Sequence, residues 1–123
     1  MNTAELAAAF TALCQEGRFL EAVDRFYADT VVSVEAADFL GKGREMHGKA
    51  TVRTKNVQWL ADNEVHEATV SGPFVSPERF ALVIGFDWTR RETGERVRMQ
   101  EVAVYTVENG QVTREEFLYG AMG

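Results

Sequence analysis

Two alternating strands joined at Asn109-Gly110 constrain this chain more than any other stretch. From about Arg96 to Tyr119 it reads RVRMQEVAVYTVENGQVTREEFLY. Strand side chains alternate with period two. Val97, Met99, Glu101, Ala103, Tyr105 and Val107 therefore share one face, and Arg98, Gln100, Val102, Val104 and Thr106 share the other. Glu101 is the one charge on a largely apolar face. A carboxylate there has to find a partner, meet a wet cavity or take up a proton, because burying it charged and unpaired is costly.

The turn decides which glutamate joins it. With Asn109-Gly110 as a two-residue type I′ loop, Val107 pairs with Val112 and Glu116 falls on Glu101's face. With Glu108-Asn109-Gly110 as a three-residue loop and Gly110 left-handed, Val107 pairs with Gln111, and Thr113, Glu115, Phe117 and Tyr119 fall there instead. The second register gathers the aromatic residues around Glu101 and is preferred. It sets Glu115 diagonal to Glu101, at roughly 7–8 Å.

At 123 residues, the chain is expected to form a single domain over 1–123 with a core of its own. A net charge of −6 with no offsetting basic cluster argues against nucleic acid or an anionic membrane as a partner. No apolar run approaches the ~20 residues of a membrane-spanning helix. The lone cysteine, Cys14, allows no internal disulfide, and the start MNTAELAAAF lacks the basic region of a secretory signal. Both features point to the cytoplasm.

Asn2 and Glu5 form a capping-box pattern, and Leu6, Ala9, Phe10 and Leu13 follow at helical spacing up to Gly17. Phe19, Ala22, Val23, Phe26 and Tyr27 mark a second helix, packed on the first because the joint is short. Val31, Val32 and Val34 begin a strand that reaches Glu35. Residues 36–48, with Gly41, Gly43 and Gly48, read as a loop at a rim. A third helix is expected over about Lys49–Asp62, with Val57, Trp59 and Leu60 inward and Lys49, Arg53 and Lys55 exposed. Strands are expected over 64–71 and 79–90, with Gly72 and Pro77 framing their connection. Phe80, Leu82, Ile84, Phe86 and Trp88 line one face of the latter. Helices followed by an antiparallel meander imply an α+β fold, a strongly curved sheet wrapped around the N-terminal helices. Such a cone would hold a hollow lined by Glu101's face.

Within that hollow Glu101 is the leading acid/base candidate, its pKa raised by desolvation and by a neighbouring Glu115. An internal ion pair, for example with Lys55 reaching in, is the plainer alternative. Tyr27, Tyr105 and Tyr119 could offer hydroxyl donors, and Trp59, Phe86, Trp88 and Phe117 could grip a small hydrophobic molecule. Core packing explains the same aromatic residues. His66 could shuttle protons, although a solvent-exposed strand histidine fits the pattern better. His47, His66 and Glu35 match no metal-ligand spacing, so no metal is expected. The opposite sheet face, with Val102, Val104, Val112 and Leu118, is too apolar to be freely solvated, and a homodimer through it is expected.

The segments GRFLEAVDRFYADTVVSVE, FALVIGFDW and EVAVYTVENGQVTREEFLY resemble the SnoaL-like group of the nuclear transport factor 2-like superfamily, over nearly the whole chain. The resemblance implies a cone-shaped α+β fold and a cofactor-independent isomerase or cyclase, with a non-catalytic ligand binder or a dimeric interaction protein as the alternatives. In the similar ketosteroid isomerases an aspartic acid on the penultimate strand hydrogen-bonds the substrate oxyanion, and the matching residue is Glu101. The polyketide cyclases place their acid/base aspartate at the same position. The isomerases' oxyanion tyrosine matches Phe10, which has no hydroxyl. Their base matches Ala36, with Glu35 beside it and Asp38 two residues on.

Overall fold

The computed structural model describes residues 1–38, 41 and 43–119. Residues 39, 40 and 42 of the expected rim loop lie outside the described residues. Helix α1 (Thr3–Gln15) opens on a full capping box: the Asn2 side chain accepts from the Glu5 N–H at 2.8 Å, and Glu5 accepts from the Asn2 N–H at 3.0 Å. α2 (Phe19–Phe26) follows the joint at Gly17 and runs directly into β1 (Tyr27–Val34). Then come β2 (Glu45–His47), α3 (Lys49–Asp62), β3 (Asn63–Val75), β4 (Arg79–Arg90), β5 (Arg96–Glu108) and β6 (Gln111–Leu118).

One sheet takes all six strands in the order β2-β1-β6-β5-β4-β3. Neighbours are antiparallel except β1 and β6, which run parallel. Register shifts interrupt three of these pairings, and such bulges bend and twist a sheet. The curved sheet closes around α1, which lies against β3 and β4. The α+β cone anticipated from sequence is the fold observed.

Phe10 of α1 sits at the centre of the packed end. Its ring meets Phe26 at 6.2 Å, Phe80 at 5.5 Å and Tyr105 at 4.8 Å, and stacks parallel to Tyr27 at 6.1 Å. Aromatic contacts of this kind add to the area that each ring buries. No buried side-chain polar atom among the described residues lacks a hydrogen-bond partner. No helix among them is long and apolar enough to cross a membrane.

Four local expectations are corrected. The rim loop contains β2, which pairs with β1 and gives the sheet a sixth strand. β3 runs on to Val75, with Gly72 and Pro73 at a register shift inside it, so the connection to β4 is only residues 76–78. Gly72, at φ 122°, supplies a backbone angle that other residues rarely adopt. In α3 the fully buried residue is Val52, whereas Val57 and Leu60 are 42% and 41% exposed. The inward face of that helix carries Val52, Lys55, Asn56 and Trp59, at spacings of three and four. Lys55 was assigned outward by its charge, and it points in because what it faces is a cluster of carboxylates. The fourth correction, at the hairpin turn, shapes the site.

Candidate acid/base site

The hairpin turn is the two-residue Asn109-Gly110 loop, with φ of 52° and 73°. Glu108 pairs with Gln111 and Val107 with Val112. Regular alternation from Val112 would then turn Glu116 inward. A bulge at Thr113 inserts one residue, so that Thr106 pairs with Arg114 and Tyr105 with Glu115. The preferred three-residue turn is therefore wrong, yet Glu115 still faces the same side as Glu101. Glu116 pairs with outward-facing Val104.

Glu115 forms the sealed end of the site, 2% exposed. Tyr27 Oη donates to one of its oxygens and Ser33 Oγ to the other, the latter at 2.6 Å. Both donors come from the parallel neighbour β1, where Ser33 stands directly beside Glu115. Burial pushes the Glu115 carboxyl above its ordinary range, while Lys55 and the two hydroxyls pull the other way. Burial, and then Glu115, holds the Tyr27 hydroxyl well above its usual pKa, so it stays a protonated donor. The Tyr27 ring stacks on that of Phe10.

Glu101 forms the open end. It lies beside Ile84 of β4, is half-buried, and makes no hydrogen bond or ion pair among the described residues. Burial first, then the charges of Glu35 and Glu115, push its carboxyl up to about 7 against the opposing charge of Lys55. The third carboxylate, Glu35, follows β1 directly. It takes an ion pair from Lys55 Nζ at 2.7 Å and a hydrogen bond from Tyr119 Oη at 3.2 Å. Lys55 Nζ also lies 3.4 Å from Ser33 Oγ and 5.6 Å from the centre of the Phe117 ring. Such a group can pass a proton between a ligand and a carboxyl poised near neutrality, next to a fixed positive charge.

Glu101, Glu115, Tyr27, Tyr119 and Phe117 are thereby gathered into one cluster. Tyr105 is buried under it, packed on Phe10 and Phe80 with ring centres 4.8 Å apart in each case. Trp59, Phe86 and Trp88 form a separate aromatic wall at 5.5–6.5 Å centre to centre. His66 does not join: it is exposed on the outer side of β3, with Nε2 2.6 Å from Thr89 Oγ1. His47, on β2, sits at the opposite edge of the sheet from His66. Two surface concavities lie away from the carboxylates. One of about 720 Å³ is lined by Trp59, Trp88, Arg90 and Arg91, and one of about 380 Å³ crosses the outer face at Thr69, Gly85 and Asp87.

Sequence reasoning passed over Ser33 and gave Lys55 and Glu35 minor parts. The available signal was the Val31, Ser33, Glu35 alternation, two polar residues on a face that starts apolar.

The family model for the SnoaL-like domain matches residues 1–119. A candidate SnoaL-like polyketide cyclase (also described as a carbohydrate phosphatase) from Mesorhizobium loti has a similar structure. It is 43% identical, with a TM-score of 0.91, over 97% of this chain and 100% of that one. A Mycobacterium tuberculosis protein in complex with estradiol-17β-hemisuccinate is 20% identical, with a TM-score of 0.76, over 98% and 96% of the two chains. A Catenulispora acidiphila protein with a ketosteroid isomerase-like fold, in complex with trimethylamine, is 16% identical, with a TM-score of 0.73, over 97% and 88%. At such identities the last two show a shared fold alone. No curated protein gives a significant match.

Proposed function

Because the chain belongs to the SnoaL-like domain family, we propose that it is a cofactor-independent acid/base catalyst acting on a small hydrophobic carbonyl compound, of the isomerase or cyclase type. One observation carries this reading. Glu101 is a half-buried carboxyl with no hydrogen-bond or ion-pair partner among the described residues, pushed up to about 7, at the open end of a cluster whose other carboxylates are held by hydrogen bonds. An acid/base group works best when its pKa lies near the working pH. Glu35 and Glu115 are committed to hydroxyl and ammonium donors, which leaves Glu101 to take and return the proton. Phe117, beside Lys55, supplies apolar contact for the ligand. The free, buried thiol of Cys14, pushed up to about 12 by burial, suits a reducing cytoplasm.

Titration of the glutamate carboxyls by NMR, assigned with Glu101→Gln, tests the reading. A Glu101 midpoint near 7 is expected, together with turnover of enolisable ketones that Glu101→Gln lacks. A midpoint near 4.5, or turnover that survives the substitution, would remove Glu101 from the role. The second reading is a binder of a hydrophobic molecule without turnover. The concavity at Trp59 and Trp88 favours it, because it offers apolar grip away from the carboxylates.

A further inference from the structure

A lysine pointing inward from a helix needs a reason, because its ammonium loses hydration there. Lys55 is 23% exposed at its side chain and runs past the Phe117 ring into the carboxylate cluster. Among the described residues it is the cation whose charge acts on both Glu101 and Glu115. An ammonium carries three N–H donors. Glu35, at 2.7 Å, and Ser33 Oγ, at 3.4 Å, take two of them. Among the described residues the third donor has no partner, and the charge of Lys55 reaches Glu101.

We propose that Lys55 is the charge-stabilising residue of this site, receiving the negative oxygen that forms when a neutral, enolisable carbonyl ligand gives its proton to Glu101. The proposal rests on the acid/base reading of Glu101 and adds the ligand class. The Glu101 carboxylate takes a proton from the carbon beside the carbonyl. The C–H electron pair becomes a C=C bond, and the carbonyl π pair moves to oxygen as an enolate held on Nζ. Where a C=C bond adjoins that carbon the enolate is conjugated, and return of the proton from Glu101 to the far carbon re-forms the carbonyl and shifts the C=C bond into conjugation with it, an isomerisation without oxidant or co-substrate. Throughout, one negative charge moves from Glu101 to the ligand oxygen, so the cluster's total charge is constant. A ligand that arrives as a permanent anion would instead meet three carboxylates around one ammonium, Glu35, Glu101 and Glu115. Neutral ketones, β-dicarbonyls and phenols are therefore the matching class.

The probe is 4-nitrophenol, whose ionised form absorbs visibly and which mimics an enolate without reacting. Bound to the wild type just below the phenol's own pKa, it is expected to show a phenolate-to-phenol ratio about tenfold above that in free solution, the effect of one nearby opposite charge. Lys55→Met should abolish the enrichment and Lys55→Arg should keep most of it. Glu35→Gln should increase it, because no carboxylate is then paired with Nζ. Glu101→Gln should still favour phenolate, which separates the ammonium from the proton carrier; the acid/base reading itself stands or falls on the carboxyl titration of the unliganded protein. A wild type that leaves the phenol's ionisation unchanged, or a Lys55→Met that shifts it as the wild type does, overturns the proposal. If Lys55→Met does not fold, an unchanged ratio in Glu35→Gln overturns it equally.

Discussion

At the residue scale, the three carboxylates differ only in what surrounds them. Glu115 accepts from two hydroxyls and Glu35 from an ammonium and a phenol, whereas Glu101 has neither. Its displacement has a consequence for stability. The folded pKa of about 7 lies above the ordinary value of 4.5, so between those limits the folded state binds more protons than the unfolded one. Stability contributed by this residue is complete below about pH 4.5 and is lost as the pH rises through 7. Well above pH 7 the ionised carboxylate costs about 3 kcal/mol relative to its protonated form. Glu101→Gln is therefore expected to melt higher than the wild type at pH 8 and at the same temperature at pH 4. Equal differences at both pH values would mean that the carboxyl is not perturbed. The prominence of Glu101 was legible in the sequence because it breaks an apolar alternation. Lys55 was legible only as an alternative, reaching in to pair with Glu101, since charge on a helix otherwise reads as an outward face; it does reach in, and pairs with Glu35.

At the scale of elements, the hairpin shows where periodicity stops being informative. Val112 and Glu115 are both buried, yet they are three residues apart, and strict alternation cannot bury both. The bulge at Thr113 reconciles them, and nothing in TVENGQVTREEF announces a bulge there. Pattern reasoning accordingly had to move the irregularity into the turn. Turn and bulge have separable jobs: the first closes the hairpin, the second aims Glu115. Gly110→Ala tests the separation. Gly110 holds φ 73°, and an added Cβ would meet only the Met1 carbonyl at an ordinary 3.5 Å, so the cost is conformational, about 1 kcal/mol. Urea unfolding should show that loss while the Glu101 titration stays in place. A displaced midpoint would mean that the turn, and not the bulge, fixes the inward register.

At the scale of the whole molecule, the cone has two faces with different fates. The order of helices and strands was readable because long periodic segments carry it. β2 was missed because three residues are too few for a period. The inner face is closed by α1 and α3, whereas the outer face presents an apolar band across four strands. Phe74 pairs with Ala81 and Ala81 with Val104, while Val83 pairs with Val102 and Val102 with Leu118. Directly paired residues share a face, so these six side chains form one patch. Phe74 is 62% exposed and Leu118 is 50% exposed. We infer that a second copy of the chain covers this band, since a self-complementary apolar face is what a two-fold dimer requires. The arginine pair on Asp87, Arg96 and Arg98, flanks the band toward the other end of β5 and offers a polar rim. Val104→Lys places an ammonium at the centre of the patch, beside Ala81 and Glu116, without touching the carboxylate cluster. Sedimentation should then change from dimer to monomer, and the Glu101 titration should persist, because burial, Glu35, Glu115 and Lys55 act on Glu101 from the sheet face opposite Val104. A wild type that already sediments as a monomer would leave the band as bare surface and remove the dimer from this account. A Val104→Lys variant that stays dimeric would move the interface elsewhere.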